Sequence, residues 1–146
     1  MGGRRLTTAS RPVLLDTCAA IWLVNGDPMS ARSRQAINAA VTANVGVYVS
    51  PISAWEIATL AAKGKIRLQL TPQDWFDALL RLPGIRLAVM PPRILIASTV
   101  LPGTPPRDPA DRIIVATARA FQQILITRDS LLLRYAHAGH LNAIRC

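Results

Sequence analysis

The sequence predicts a three-layer α/β/α sandwich built on a mainly parallel sheet of about five strands. Two observations carry that expectation. Short apolar runs alternate with longer segments of helical spacing, as in repeated strand–helix units. The runs are also apolar along their whole length, as strands covered on both faces must be.

Taken in order, PVLLDT (12–17) is a short apolar run closing on an acid and reads as the first strand. AAIWLVNGD (19–27) is a short helix stopped at Asn25-Gly26, and residues 28–46 are a second helix stopped near Gly46. VGVYVSP (45–51), β-branched and aromatic between Gly and Pro, is a strand. ISAWEIATLAAKGKI (52–66) has helical spacing and ends near Gly64. In TPQDWFDALLRL (71–82), a Thr cap, a Pro at the first helical position and an early Asp mark a helix start. IRLAVMP (85–91) is a strand and residues 92–103 a short helix. Residues 107–123 form a helix, ILITRD (124–129) a strand, SLLLRYAHAG (130–139) a helix, and NAIRC (142–146) a last short strand.

With 146 residues and 51% of them apolar, the chain suits one domain over residues 12–146 with a sizeable core. Residues 1–11 read as a flexible tail, whose arginines precede no apolar segment of the secretory kind. No apolar stretch reaches the roughly 18–20 residues of a membrane span. Cys18 and Cys146 lie near opposite ends, which suggests neither a disulfide framework nor a metal knuckle, and points to reduced thiols in a cytoplasmic protein. Cys18 is expected to be a small buried residue; as a nucleophile it would have only the distant His137 and His140 as partners. Seventeen basic residues against eight acidic ones give +9, an excess that favours polyanions such as nucleic acid. A general arginine bias would give the same balance, since 15 of the 17 are Arg.

The few acids are unevenly placed. Asp16 ends the first strand, Glu56 lies just past the second, Asp129 follows ILIT, and Asp108 and Asp111 open the helix before it. Each has a structural reading. Ser53 with Glu56 matches the S-x-x-E capping box, Asp108 suits an N-cap before Pro109, Asp111 a first-turn acid, and Asp129 a cap. Asp27, Asp74 and Asp77 are ordinary helix-start or pre-proline acids. Right-handed crossovers, however, bring the other five to one edge of the sheet. Crowded carboxylates repel and raise one another's pKa unless a cation neutralises them. Oxygen donors without Cys or His partners point to Mg2+ or Mn2+. Such a pocket in a basic protein suits metal-assisted hydrolysis of a phosphodiester.

The segments LLDTCAAIW, SPISAWEIATLAAKGKI, RDPADRIIVATARA and LITRDSLLLRY, in this order, resemble the PIN-domain ribonucleases, in particular VapC-type toxins of toxin–antitoxin pairs. The resemblance covers residues 12 to the end. It implies a Mg2+- or Mn2+-dependent endoribonuclease acting on structured RNA such as tRNA or rRNA, a homodimer, and a cognate VapB-type antitoxin that blocks the site. The implied catalytic and metal-binding acids are Asp16, Glu56, Asp111 and Asp129, with Thr17 and Thr127 as hydroxyl companions. Asp108 is an extra acid of one branch of the family, either a further metal ligand or a helix cap. Arg112 and Arg128 flank the site and are candidates for substrate phosphate, or else solvated surface arginines. Trp22, Leu23 and Trp55 are candidates for the antitoxin groove, with core packing the competing role.

Other readings fit less well. A phosphatase of the haloacid-dehalogenase type needs a second Asp where Cys18 stands, and a receiver domain needs a Lys on a late strand. A dinucleotide-binding domain needs glycines that DTCAAIW lacks. His137 and His140 have no second half of a metal site nearby, which leaves them a surface or helix-end role. A non-catalytic PIN-like module that binds RNA or a protein is the remaining alternative.

Overall fold

The computed structural model describes residues 10–146, so most of the expected tail lies outside the described residues. Five strands, β1 (Val13–Leu15), β2 (Val47–Val49), β3 (Ile85–Leu87), β4 (Ile124–Thr127) and β5 (Ala143–Arg145), pair in parallel in the order β3-β2-β1-β4-β5. Seven helices connect and cover them: α1 (Thr17–Asn25), α2 (Ala31–Thr42), α3 (Pro51–Ala62), α4 (Pro72–Leu80), α5 (Pro92–Ala97), α6 (Pro109–Phe121) and α7 (Ser130–His137).

The register explains the three layers. Leu14 lies between Tyr48 and Leu125, while Val13 and Leu15 lie between Val47 or Val49 on one side and Ile124 or Ile126 on the other. Successive side chains leave a strand on opposite faces. Val13, Leu15, Val49 and Ile126 therefore join one core with Ala20, Ile37, Ile57 and Leu79 of α1 to α4. Leu14 and Leu125 join the other with Ile114 and Val115 of α6 and Leu132 of α7. Every residue of β1 is buried, which is why its sequence is uniformly apolar.

The strand order reverses direction at β1, whose neighbours β2 and β4 lead to opposite edges of the sheet. The crevice beyond the carboxyl end of β1 is thus the topological switch point, where open α/β sheets place their ligands.

Most elements are shorter than the sequence suggests, and three show why. The strand expected over 85–91 stops at Leu87, and the following prolines 91 and 92 have no N–H to offer a sheet. The helix expected to 103 ends at Ala97, where Ser98 and Thr99 turn their hydroxyls back onto the carbonyls of Leu95 and Ile96. The helix expected over 28–46 begins at Ala31, because Ser30 caps it by accepting from Ser33 N at 3.1 Å. The stop at Asn25-Gly26 falls where expected: Gly26 holds φ +73° and donates to Leu23 O at 3.3 Å. Open space surrounds the position a Cβ would take, so Gly26→Ala isolates the left-handed backbone cost. Urea denaturation is expected to show a loss of about 1 kcal/mol. An unchanged midpoint would mean that α1 can end without a left-handed residue.

Candidate active site

Asp16 leaves β1 and becomes the N-cap of α1, where Oδ1 accepts from Ala19 N at 2.8 Å. It is buried, and desolvation raises its pKa; hydrogen bonds from Thr127 and Ala19 offset this, and Asp129 adds to the rise. Thr17 opens α1 with its hydroxyl donating to Glu56 Oε1 and lying 2.9 Å from Ser53 Oγ. The S-x-x-E capping box does not form. Ser50 is the N-cap of α3, accepting from Ile52 N at 3.1 Å, and Pro51 is its first residue. Ser53 and Glu56 are consequently one turn inside the helix and three apart, on a shared face that meets Thr17.

Asp108 caps α6 as its sequence implies, with Oδ1 accepting from Ala110 N at 2.8 Å and Asp111 N at 3.4 Å. Asp111 follows in the first turn. Asp129 leaves β4 and caps α7, with Oδ1 accepting from Leu131 N at 2.8 Å and Leu132 N at 3.2 Å. Its own N–H donates to Thr127 Oγ1 at 3.0 Å. Capping and ligation are compatible here: Asp108 and Asp129 spend Oδ1 on helix N–H groups and keep Oδ2.

These elements enclose a pocket of about 290 Å3 whose walls include Asp16, Thr17, Glu56, Asp111 and Asp129. At its rim one carboxylate oxygen each of Glu56, Asp108 and Asp111 lie within 4.8 Å of one another. Burial and then Asp108, Asp129, Glu56 and Asp16 push the Asp111 pKa up to about 7, with no neighbour pulling it down. Burial raises Glu56 too, as do Asp108 and Asp16, against the hydrogen bond from Thr17. The donor set is a hard, oxygen-only cluster in which the acids raise one another's pKa. Mg2+ and Mn2+ take carboxylate oxygens as ligands, and three such oxygens gathered this closely are a donor set of the kind these ions accept. The residues fit a divalent metal.

The arginines expected to flank the site are largely engaged. Arg112 Nη1 donates to Ser98 O at 3.3 Å. Arg128 donates from Nε to Cys146 O and from Nη2 to Pro28 O, and its guanidinium stacks 3.8 Å from the Trp22 ring. Arg128 and Trp22 thus form a wall of the pocket. Cys18 lines the pocket as well and is exposed, a correction to its expected burial. Partial burial and the carboxylates of Asp16, Glu56 and Asp111 push its thiol up to about 11, which leaves it a poor nucleophile. Trp22 and Leu23 pack against the core, but Trp55 is 61% exposed and has no core role. His137 sits in the last turn of α7, and His140 packs on Tyr135, at 4.8 Å between ring centroids, in a recess it shares with Asp108 and Asp111.

A parallel 3-2-1-4-5 sheet with acids gathered beyond β1 and β4 is the arrangement of a PIN domain, and the PIN domain family profile matches residues 13–138. The chain belongs to the PIN-domain family. Within that family it is similar to Ribonuclease VapC22 of Mycobacterium tuberculosis, with 32% identity over 125 residues, 86% of this chain and 92% of the relative. Its fold is that of a chain in the crystal structure of VapBC2 from Rickettsia felis bound to a DNA fragment from their promoter. The TM-score is 0.62 at 15% identity, covering 92% of this chain and 98% of the other.

Proposed function

We propose that the protein is a Mg2+- or Mn2+-dependent endoribonuclease, the toxin of a toxin–antitoxin pair, hydrolysing phosphodiester bonds of RNA such as tRNA or rRNA. The observation that carries this reading is the carboxylate cluster around Asp111, part-buried and crowded by its fellow acids in a protein of net charge +9. The similarity to a VapC ribonuclease supports it. Asp16, Glu56, Asp111 and Asp129 hold the cation, with Asp108 as the ligand at the rim. When bound, the metal polarises the scissile phosphate and lowers the pKa of a water.

The remaining work belongs to the chain. Thr17, anchored by Ser53, fixes Glu56, and Thr127 links Asp16 to the start of the Asp129 turn. The Trp22–Arg128 stack gives one side of the pocket a positive charge, and Arg128 has Nη1 outside its two backbone bonds. Arg112 stands beside Asp111 as a second phosphate contact. A VapB-type antitoxin that covers this crevice, a homodimeric state and a cytoplasmic location complete the reading. No described helix is long and apolar enough to cross a membrane.

Purified protein is expected to cleave RNA with Mg2+ or Mn2+ and to stop on addition of EDTA. RNA left intact at millimolar Mn2+, with a metal-induced thermal shift still present, would instead identify a PIN-like binding module.

A further inference from the structure

Asp111 borders two recesses. Besides the acid pocket, a trough of about 520 Å3 lies between the 103–107 loop and α7, lined by Arg107, Asp108, Asp111, Leu131, Arg134 and Tyr135 among others. That volume falls in the roughly 300–1,000 Å3 range of ligand sites. Its wall is built firmly. Tyr135 Oη donates to Pro102 O at 2.5 Å, and the Tyr135 ring packs on His140. Gly103, at φ +68°, approaches His140 so closely that a Cβ would meet Nε2 at 2.5 Å. The trough therefore does not depend on a loose loop.

The chemistry of its rim differs from that of the acid pocket. Arg107 and Arg134 are exposed, and among the described residues neither is tied to a backbone carbonyl as Arg112, Arg119 and Arg128 are. Leu131, 54% exposed, adds an apolar face between them and the acids. A polyanion drawn toward five carboxylates needs cations close by, and these two arginines stand in the recess that shares Asp108 and Asp111 with the metal cluster.

We propose that this trough receives the nucleotide adjoining the scissile phosphodiester of an unpaired RNA strand. Arg107 and Arg134 pair with the next backbone phosphate, and the base lies on Leu131. The proposal rests on the nuclease reading and adds to it the residues that hold the nucleotide flanking the scissile bond. A strand bent over Asp111 places neighbouring nucleotides in separate recesses. A-form duplex forbids this, because its bases stay stacked and its major groove is too narrow for side chains.

The test is fluorescence anisotropy of a labelled single-stranded RNA, and of the same sequence as a duplex, with Ca2+ present to neutralise the acids. Cleavage in Mn2+ is measured alongside. The single strand is expected to bind at least ~10-fold tighter than the duplex, and Arg107→Glu/Arg134→Glu to weaken its binding ~10-fold or more. Lys63→Glu/Arg81→Glu, the same charge change at the far ends of α3 and α4, is expected to cost no more than ~3-fold. Arg107→Lys/Arg134→Lys should recover most of the loss, since backbone phosphate accepts either cation. Equal losses in the two glutamate pairs, or duplex binding as tight as single-strand binding, would overturn the proposal. Full RNA binding by the trough variant would do so as well and would mark the trough as a protein-docking face. If the protein binds RNA through these arginines but cuts none in Mn2+, the nuclease reading fails and the trough stands.

Discussion

Asp16→Asn and Asp111→Asn are each expected to lower RNA cleavage by more than ~100-fold while leaving the fold intact. Groups that merely orient a metal ligand typically cost 10–100-fold when removed, so loss of a ligand should cost more. The substitution suits this site because three of the acids are also helix N-caps: Asp16 on α1, Asp108 on α6 and Asp129 on α7. Asn caps a helix as well as Asp does. An Asn variant therefore removes charge and metal affinity but keeps the N–H groups of Ala19, Ala110 and Leu131 satisfied. Any loss of rate then reports chemistry and not unfolding, and far-ultraviolet circular dichroism checks the point. Asp108→Asn tests the ligand role proposed for that residue beside its cap: a cap alone predicts an unchanged rate, a ligand a large fall. Asp77→Asn, whose carboxylate accepts from Gln73 on α4 away from the acid cluster, is the matched control. Wild-type rates in Asp16→Asn and Asp111→Asn would remove the assigned chemistry.

The gathering of the acids was legible because their place follows from topology. An acid that ends a buried strand, or opens the helix beside it, reaches the carboxyl edge of a parallel sheet whatever the side-chain details. What escaped depends on contacts between distant residues. Nothing local shows that Ser53 meets Thr17, 36 positions earlier, so S-x-x-E read as a cap. Arg112 and Arg128 looked free because their acceptors are backbone carbonyls of Ser98, Cys146 and Pro28. Trp55 faces solvent despite its size, and α6 ends on Gln122 at φ +52° where no glycine marks the stop. Arg107 and Arg134 gained meaning only once the 103–107 loop and α7 were seen to share a recess.

The metal-free protein is expected to be less stable at pH 8 than at pH 5.5, and Asp111→Asn to be more stable than wild type at pH 8. The sign follows from proton linkage. Asp111 ionises near its ordinary 3.8 in the unfolded chain and only at about 7 in the fold. Between those values the native state holds a proton that the unfolded state has released. The associated stability is thus complete below about pH 4, declines as pH rises, and is gone above about 7. Asp16 and Glu56, both shifted upward, act in the same direction. In a fully buried carboxyl a rise of that size would be worth about 4 kcal/mol, but Asp111 is partly exposed and solvent screening reduces this to about 2 kcal/mol. Asn has no charge to desolvate, so the variant should recover that amount at pH 8 and show a flatter profile. Mn2+ should reverse the ranking: at 100 times its dissociation constant it adds about 2.7 kcal/mol to wild type, and much less to Asp111→Asn. Thermal unfolding in EDTA and in Mn2+, at both pH values, reads all four quantities. A wild-type melting temperature independent of pH, or an Asp111→Asn variant that gains as much from Mn2+ as wild type does, would show that the carboxylates carry no strain for a cation to relieve. Catalytic sites that store repulsion in this way trade stability of the empty protein for affinity toward the ion, and here the exchange is confined to one pocket beyond β1.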